Sequence, residues 1–417
     1  MRPAARLKTI SELLPLALSE RQPADRLMQK WGRQNRYAGS KDRRDISDRL
    51  FAILRHYGAL TGRLGSDDPL LVAMLATHLL TDMPIDDVLQ LADGSQYGPP
   101  PISAADEKTL THAAQNASED RAASLSVPDW LLGDIETQLG DETDAVLRAM
   151  QARAPLDLRV NLLKGGRESA QAALRQDGVE TNLHPHIDGA LRVSGAAQII
   201  TSAAYQNGLV EVQDAGAQAV AHITAAAPFE TVMDFCAGAG GKALAMAAQM
   251  KNKGRLLVHD AMQARMHDLS ARAKRSGAEI IETVPPQDLP DFDAQCDLVV
   301  VDVPCSGSGR WRRAPETKWR LTQQGLADLH EIQTAILHQA AQLVRPQGRL
   351  AYVTCSLLSS ENDRQIDEFL KQNQSFGMFE ADGPLGQRAR DMLHPENNDS
   401  DGLYVAVLQR RADDDGA

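Results

Sequence analysis

Cysteines, aromatic rings, long apolar runs and net positive charge are all scarce in this chain, and each scarcity rules something out. The cysteines number 4 among 417 residues: Cys236, Cys296, Cys305 and Cys355. They form no CxxC pair and stand beside no histidine at zinc spacing. Neither a disulfide framework nor a metal site is expected, and a reducing cytoplasm suits them. His184 and His186 flank a proline, which reads as a loop or edge strand rather than a ligand pair. No apolar run approaches a membrane span and no signal-peptide pattern follows Met1, so no membrane association is expected. Lys and Arg total 44 against 56 Asp and Glu, a formal net charge of −12. That balance excludes a protein that coats nucleic acid indiscriminately.

What positive charge exists is unevenly spread. Between Arg26 and Arg63 the chain carries Lys or Arg at 26, 30, 33, 36, 41, 43, 44, 49, 55 and 63, against only Asp42, Asp45 and Asp48. The carboxyl tail, Asp413-Asp414-Asp415, has the opposite sign. A basic patch on an acidic body fits a selective polyanion binder, although two solvated faces would have the same composition.

A chain of 417 residues exceeds one ordinary domain, and its periodicity changes twice. Residues 1–150 read as helical, with Leu7, Ile10, Leu13 and Leu14, then Leu50, Leu54, Tyr57 and Leu60, at helical spacing. Asp67-Asp68-Pro69 offers a helix start, and Gly98 to Pro101 a break. Residues 151–214 read as a small α+β connector of RRM-like order, without the aromatic pair that would stack bases. Residues 215–417 alternate strand and helix in the doubly wound manner, with strands expected at 231–235, 255–259, 279–284, 297–303, 349–354 and 403–409.

The chemistry-bearing residues cluster at the ends of those strands, where open α/β sheets bind ligands. Asp234-Phe235-Cys236-Ala237-Gly238-Ala239-Gly240-Gly241-Lys242 follows a strand and opens a helix. Small residues let backbone approach a ligand, and helix N-terminal amides satisfy anionic groups, so this loop is a candidate for a nucleotide-like ligand. Asp260 ends the next strand, where an acid accepts from ribose hydroxyls or caps the following helix. Leu298 to Val301 run into Asp302-Val303-Pro304-Cys305-Ser306-Gly307, and Leu350 to Val353 run into Thr354-Cys355-Ser356. One strand-end cysteine is usually a small hydrophobe; two at tips facing one crevice call for chemistry. Arg310 to Arg320 alternates cations with Trp311 and Trp319. That pattern predicts phosphate contacts with base stacking, the competing reading being a helix start anchored by tryptophans.

Together these residues resemble the RsmB/NOP/Sun family of RNA 5-methylcytosine methyltransferases, from about Leu156 onward. The likeness is most specific through Asp302 to Gly307 and Thr354-Cys355-Ser356 followed by Glu361-Asn362; Gly208-Leu209-Val210-Glu211-Val212-Gln213-Asp214 adds to it. The resemblance implies a class I, Rossmann-like methyltransferase domain binding S-adenosylmethionine. Cys236 to Lys242 would hold the methionine end, Asp260 the ribose, and Asp302 would lie near methyl and base. It further implies Cys355 as the nucleophile on carbon 6 of cytosine, Asp302 as stabiliser of the protonated ring nitrogen, and Cys305 as the group assisting proton loss and release. The chain departs from the family at Ala239 and Lys242-Ala243, where proline and Lys-Thr are usual, and at Val284-Pro285-Pro286-Gln287, where an acid usually meets adenine; whether Asp288 substitutes is open. Asp42-Arg43-Arg44 and Leu54-Arg55-His56 more loosely resemble a NusB-like RNA-binding domain, which favours rRNA over tRNA as the partner. A catalytically silent RNA-binding or ribosome-assembly factor retaining the fold, or a tRNA cytosine methyltransferase, is the alternative, and the sequence leaves the oligomeric state open.

Overall fold

A computed structural model describes residues 1–20 and 22–412, so the acidic Asp413 to Asp415 tail lies outside the described residues. The chain divides into two compact units, Met1–Ala154 with Arg310–Thr322, and Pro155–Gly309 with Gln323–Ala417. Among the described residues no helix is long and apolar enough to cross a membrane.

The first unit is helical. Pro3–Ser19, Ala24–Gln34, Ser40–Leu64, Pro69–Thr81 and Ala104–Gln115 are its longer elements before Arg121. They enclose Ile10, Leu14, Leu50, Leu54, Met74, Leu75 and Leu110, all fully buried. The Asp68 carboxylate accepts the amides of Leu70 and Leu71, both at 2.9 Å, and Pro69 opens the helix that follows. The polar stretch after Ser103 is a capped helix, with a Ser103–Asp106 capping box and Leu110 and Ala113 turned inward.

Arg310–Thr322 corrects the expectation of a base-stacking surface. Trp311 is 1 % exposed, and Arg312, Glu316 and Lys318 are buried with it in the helical unit. The Trp319 indole donates to Leu54 O at 2.8 Å and its ring meets Tyr57 edge-on at 5.2 Å. Two helix ends there lack local caps, and this segment supplies both. Glu316 accepts the Ala24 amide at 3.0 Å at a helix N-terminus with no side-chain cap of its own. Arg320 donates to Ala17 O at 3.0 Å at the end of Pro3–Ser19, whose last turn holds no basic residue. These rings and charges satisfy backbone groups and bury area in place of stacking bases, while Arg310 at the start of the segment is exposed.

The second unit carries both sheets that position the site. A small sheet of order β2-β3-β1-β4 comprises β1 (Asp157–Val160), β2 (Thr181–Leu183), β3 (Ala190–Val193) and β4 (Val210–Val212), with helix Arg167–Gln176 packed through Ala170 and Leu174. His184 is buried just after β2, its Nε2 meeting Asp399 O at 3.3 Å. The large sheet is mixed, with eight strands: β5 (Thr231–Asp234), β6 (Arg255–Val258), β7 (Ile281–Thr283), β8 (Cys296–Asp302), β9 (Val344–Thr354), β10 (Phe376–Met378), β13 (Arg390–Leu393) and β14 (Leu403–Arg410). The two-stranded pair β11 (Ala381–Gly383) and β12 (Gly386–Arg388) stands apart. In order β10-β14-β9-β8-β5-β6-β7, strands β5 to β9 run parallel and β14 returns antiparallel against β9. This is the doubly wound, Rossmann-like α/β arrangement. Val299, Val300 and Val301 are fully buried between helices on both faces, which accounts for an unbroken apolar run in place of alternation. The helix anticipated from Met262 to Ser276 is interrupted: a 3₁₀ turn covers Gln263–Met266 and the α-helix starts at Leu269.

Two outcomes follow for the helical unit. Trp311→Ala should lower unfolding free energy by about 3–5 kcal/mol in a denaturant titration, the usual cost of emptying a buried tryptophan site. Burial, with Arg55 adding to it, lowers the Lys318 pKa to about 7. Unfolding therefore takes up a proton between that value and the ordinary lysine range, so this group's contribution makes stability rise with pH across that window. Lys318→Met should flatten the rise relative to wild type in denaturant midpoints measured at pH 7 and pH 10.

Candidate active site

Parallel pairing brings the reactive residues to one edge. β8 pairs with β9 so that Val301 faces Tyr352 and Asp302 faces Val353. The loops that leave the two strand ends are therefore neighbours. Cys305 lies in the first and Cys355 in the second, with their sulfurs 3.3 Å apart. The Gly309 amide donates to Cys355 O at 2.9 Å, and the Gly402 amide donates to Gly309 O at 2.8 Å. A Cβ on Gly309 would stand 2.0 Å from Gly402 O, so only glycine permits this approach.

Beneath the thiols lies a buried polar network. The Glu361 side chain is fully enclosed. Its Oε1 accepts from the Ser306 amide and from Gln333 Nε2, each at 2.8 Å, and its Oε2 accepts from Ser306 Oγ and Ser356 Oγ, each at 2.5 Å. Asn362 accepts from Thr354 Oγ1 at 2.6 Å and donates to Ser356 O at 3.0 Å. Neither serine was a sequence candidate. The only signal pointing to them was their place directly after each cysteine.

The electrostatics separate the two thiols. Lys242 Nζ donates to Asp302 Oδ2 at 2.5 Å. Burial alone would lower the Lys242 pKa, but Asp302, with Asp234 and Cys355 behind it, outweighs burial and raises it. The ammonium is thus a fixed positive charge within reach of Cys355. The Cys305 thiol is pushed well up, first by its hydrogen bond with Cys355 and then by burial. Cys305 therefore holds its proton firmly. Burial likewise raises the Cys236 thiol, with Asp234 and Asp302 adding to it, and pushes Cys296 up to about 12. Cys296 is fully buried at the start of β8, at the opposite end of that strand from Asp302, and acts as core.

Ala237 to Lys242 make the turn from β5 into helix Gly241–Gln249, with Gly238 at φ +52° and Gly240 at φ +80°. Asp260 accepts the Gly238 amide at 3.0 Å and the Met262 amide at 2.9 Å, so it ties this loop down and caps the next turn. Asp234, at the end of β5, is 1 % exposed and neither carboxylate oxygen has a hydrogen-bond partner. Burial raises its pKa to about 7 against the opposing charge of Lys242. A buried carboxylate whose oxygens are unsatisfied, beside a glycine turn and a helix N-terminus, fits the amino and carboxylate groups of an amino-acid-like ligand. Asp288 lies exposed on the 3₁₀ turn Pro286–Phe292.

The small sheet does more than connect. Arg159 on β1 donates to Gln213 Oε1 and to Gly241 O, both at 2.6 Å. Arg272 donates to Ala239 O and, at 3.1 Å, to Glu211 on β4, which also pairs with Arg275. Two carbonyls of the glycine loop are thereby held by arginines that β4 and its continuation orient. Sequence reading missed Arg159 and Arg272; Glu211 and Gln213 stood in a quoted motif without a role.

Comparison with known proteins agrees with this geometry. Residues 221–409 match the family model described as 16S rRNA methyltransferase RsmB/F, and residues 127–200 match its RsmF/B-like ferredoxin-like domain. The chain is 33% identical over 304 residues to a probable ribosomal RNA small subunit methyltransferase B of Synechocystis, covering 68% of this chain and 67% of that protein. It is 28% identical over 287 residues to the ribosomal RNA small subunit methyltransferase B of Klebsiella pneumoniae, covering 68% and 66%. The aligned stretch is thus about two thirds of each relative's own length. Among solved structures, PH0851 superposes with TM-score 0.74 at 25% identity over 98% of this chain and 99% of its own. NSun6 from Pyrococcus horikoshii has the same fold in the part it covers, with TM-score 0.60 at 17% identity over 69% of this chain and 99% of its own.

The charge arrangement has a direct chemical readout. Lys242→Met should slow alkylation of Cys355 by iodoacetamide at neutral pH by about tenfold, the effect of raising a thiol by one pKa unit. Mass spectrometry resolved by cysteine measures it, with Cys296 as the inert internal control.

Proposed function

Because the chain belongs to the RsmB/F family of 16S rRNA methyltransferases, we propose that it methylates carbon 5 of a cytosine in ribosomal RNA, in the cytoplasm, through a covalent adduct on Cys355. The observation that carries this reading is the pair of sulfurs 3.3 Å apart beside the Lys242–Asp302 ion pair. S-adenosylmethionine, when bound, supplies an electrophilic methyl group on a sulfonium. Asp234 and the amides of the Cys236–Ala237–Gly238–Ala239–Gly240–Gly241–Lys242 loop are the groups assigned to its methionine end, and Asp260 to its ribose.

An aromatic carbon 5 is a weak nucleophile, which is the problem the two thiols address. The Cys355 thiolate bonds to carbon 6, and the displaced π pair makes carbon 5 electron-rich enough to take the methyl group. The ring nitrogen takes a proton from water as that charge develops, Asp302 accepts the resulting N–H bond, and the proton returns to water when the ring double bond is restored. Once Cys355 is bonded to carbon, the hydrogen bond that held the proton on Cys305 is gone, so the Cys305 thiol gives that proton up to solvent more readily. Cys305 then takes the carbon 5 proton. The C–H pair restores the ring double bond, the S–C6 bond breaks, and Cys355 leaves as thiolate. Asp302 is shared between Lys242 and the base, which keeps its charge in place without a metal ligand role. The helical unit, NusB-like in its sequence pattern, is assigned to RNA binding.

Incubation with labelled S-adenosylmethionine and total RNA separates the alternatives. Label in rRNA is the expected result; label confined to tRNA moves the substrate, and no label in any RNA leaves a silent assembly factor. Cys355→Ala should abolish transfer. Cys305→Ala should accumulate a protein–RNA adduct stable on denaturing gels, and methyl transfer without such an adduct would reverse the roles given to the two sulfurs.

A further inference from the structure

Glu361 is a buried acid that the reaction itself does not use. Four donors converge on it, and three come from Ser306 and Ser356, the residues that follow the two cysteines. A carboxylate with no exposure is costly to bury unless such donors satisfy it, so its place must be over-determined by what it holds. What it holds is the junction of two loops from different strands.

The two loops do not depend on it equally. Ser356 has other restraints: its amide donates to Thr354 Oγ1 at 3.2 Å, its carbonyl accepts from Asn362 at 3.0 Å, and its hydroxyl lies 3.0 Å from Ser308 Oγ. Ser306 takes both its backbone bond and its shortest hydroxyl bond from Glu361. Gln333, which also donates to Glu361, meets Pro304 O at 2.9 Å on the other side of Cys305. Removing the carboxylate therefore frees Ser306 on one flank of Cys305, deprives Gln333 on the other flank of the partner that orients it, and leaves the Cys355 loop mostly tied.

We infer that Glu361 is a positioning residue that sets Cys305 against Cys355, and that it governs the release step more than the attack. The second half rests on the roles assigned to the two cysteines under the proposed function. Attack needs only Cys355 and the charge beside it. Release needs a second sulfur held within reach of a proton on a carbon already bonded to the first, and a displacement of about 1 Å at such a step costs about a hundredfold in rate.

The test compares wild type, Cys305→Ala, Ser306→Ala, Glu361→Gln and Glu361→Ala by two readouts. Phenylarsine oxide bridges two close thiols without RNA or cofactor, so it reports the sulfur pair directly. Bridging of Cys305 to Cys355 should be retained in wild type, weakened in Ser306→Ala and lost in Glu361→Ala. With RNA and S-adenosylmethionine, Glu361→Ala and Ser306→Ala should accumulate a gel-stable adduct as Cys305→Ala does, with single-turnover adduct formation near the wild-type rate. Ser306→Ala and Glu361→Gln keep the site filled and carry the test if Glu361→Ala does not fold. Undiminished bridging in all three Glu361 and Ser306 variants overturns the positioning role. Lost bridging with adduct in Cys305→Ala but in none of those variants overturns the link to release. Lost bridging with no adduct even in Cys305→Ala leaves Glu361 as the positioning residue and removes the cysteine roles instead.

Discussion

The parallel register of β8 against β9 is the constraint on which the site depends. Asp302 faces Val353 across that pairing, so each strand delivers its loop at the same height and on the same edge. Parallel strands cannot be joined by a hairpin, and here the connection from Asp302 to Val344 runs through the helical unit and helix Gln323–Leu343. Distant stretches of chain thus meet as two adjacent tips. A shift by one residue would turn every side chain of a strand to its other face and separate the sulfurs. The buried Val299, Val300, Val301, Leu350, Ala351 and Tyr352 oppose such a slip, because each fills a layer between sheet and helix.

Charge is organised around that edge by burial. Asp234, Lys242 and Glu361 sit where little water weakens their interactions, while Asp302 is partly exposed. Each is given different company: Lys242 for Asp302, hydroxyls and amides for Glu361, and for Asp234 only the Ala243 amide and the Lys242 charge nearby. In the same setting the hydrogen bond with Cys355 and burial hold the proton on Cys305, and Asp302 keeps the Lys242 ammonium charged nearby. A glycine loop clamped by Arg159 and Arg272 completes the arrangement. Those clamps act at Gly241 and Ala239, beside the departures at Ala239 and Ala243, so the loop's shape does not rest on the residues usual at those positions.

Much of this was legible in the chain. The alternation of β-branched runs with helical spacing located β5, β6, β8 and β14 to within one residue at each end and the carboxyl end of β9, which starts five residues earlier than expected, because strands buried on both faces leave an unmistakable apolar run. The strand-end acids and cysteines were visible for the same reason, as polar groups placed where a core run stops. Arg310 to Arg320 was not legible. Cations alternating with tryptophans look alike whether they face phosphates or cap helix ends, and only the uncapped ends at Ala17 and Ala24 decide between them. β4 was likewise missed as a strand, since three residues carry too little periodicity to distinguish strand from loop.

By itself the sequence determined the fold class, the edge of the sheet where chemistry is placed, and the identities of the thiols and acids there, since local pattern and residue type carry that information. Tertiary structure alone decided which of them meet: the 3.3 Å between sulfurs, the lysine that Asp302 holds, and the carboxylate that joins two loops. Those contacts link residues 50 to 60 positions apart. Such pairings arise from strand order and register, which no window of sequence contains.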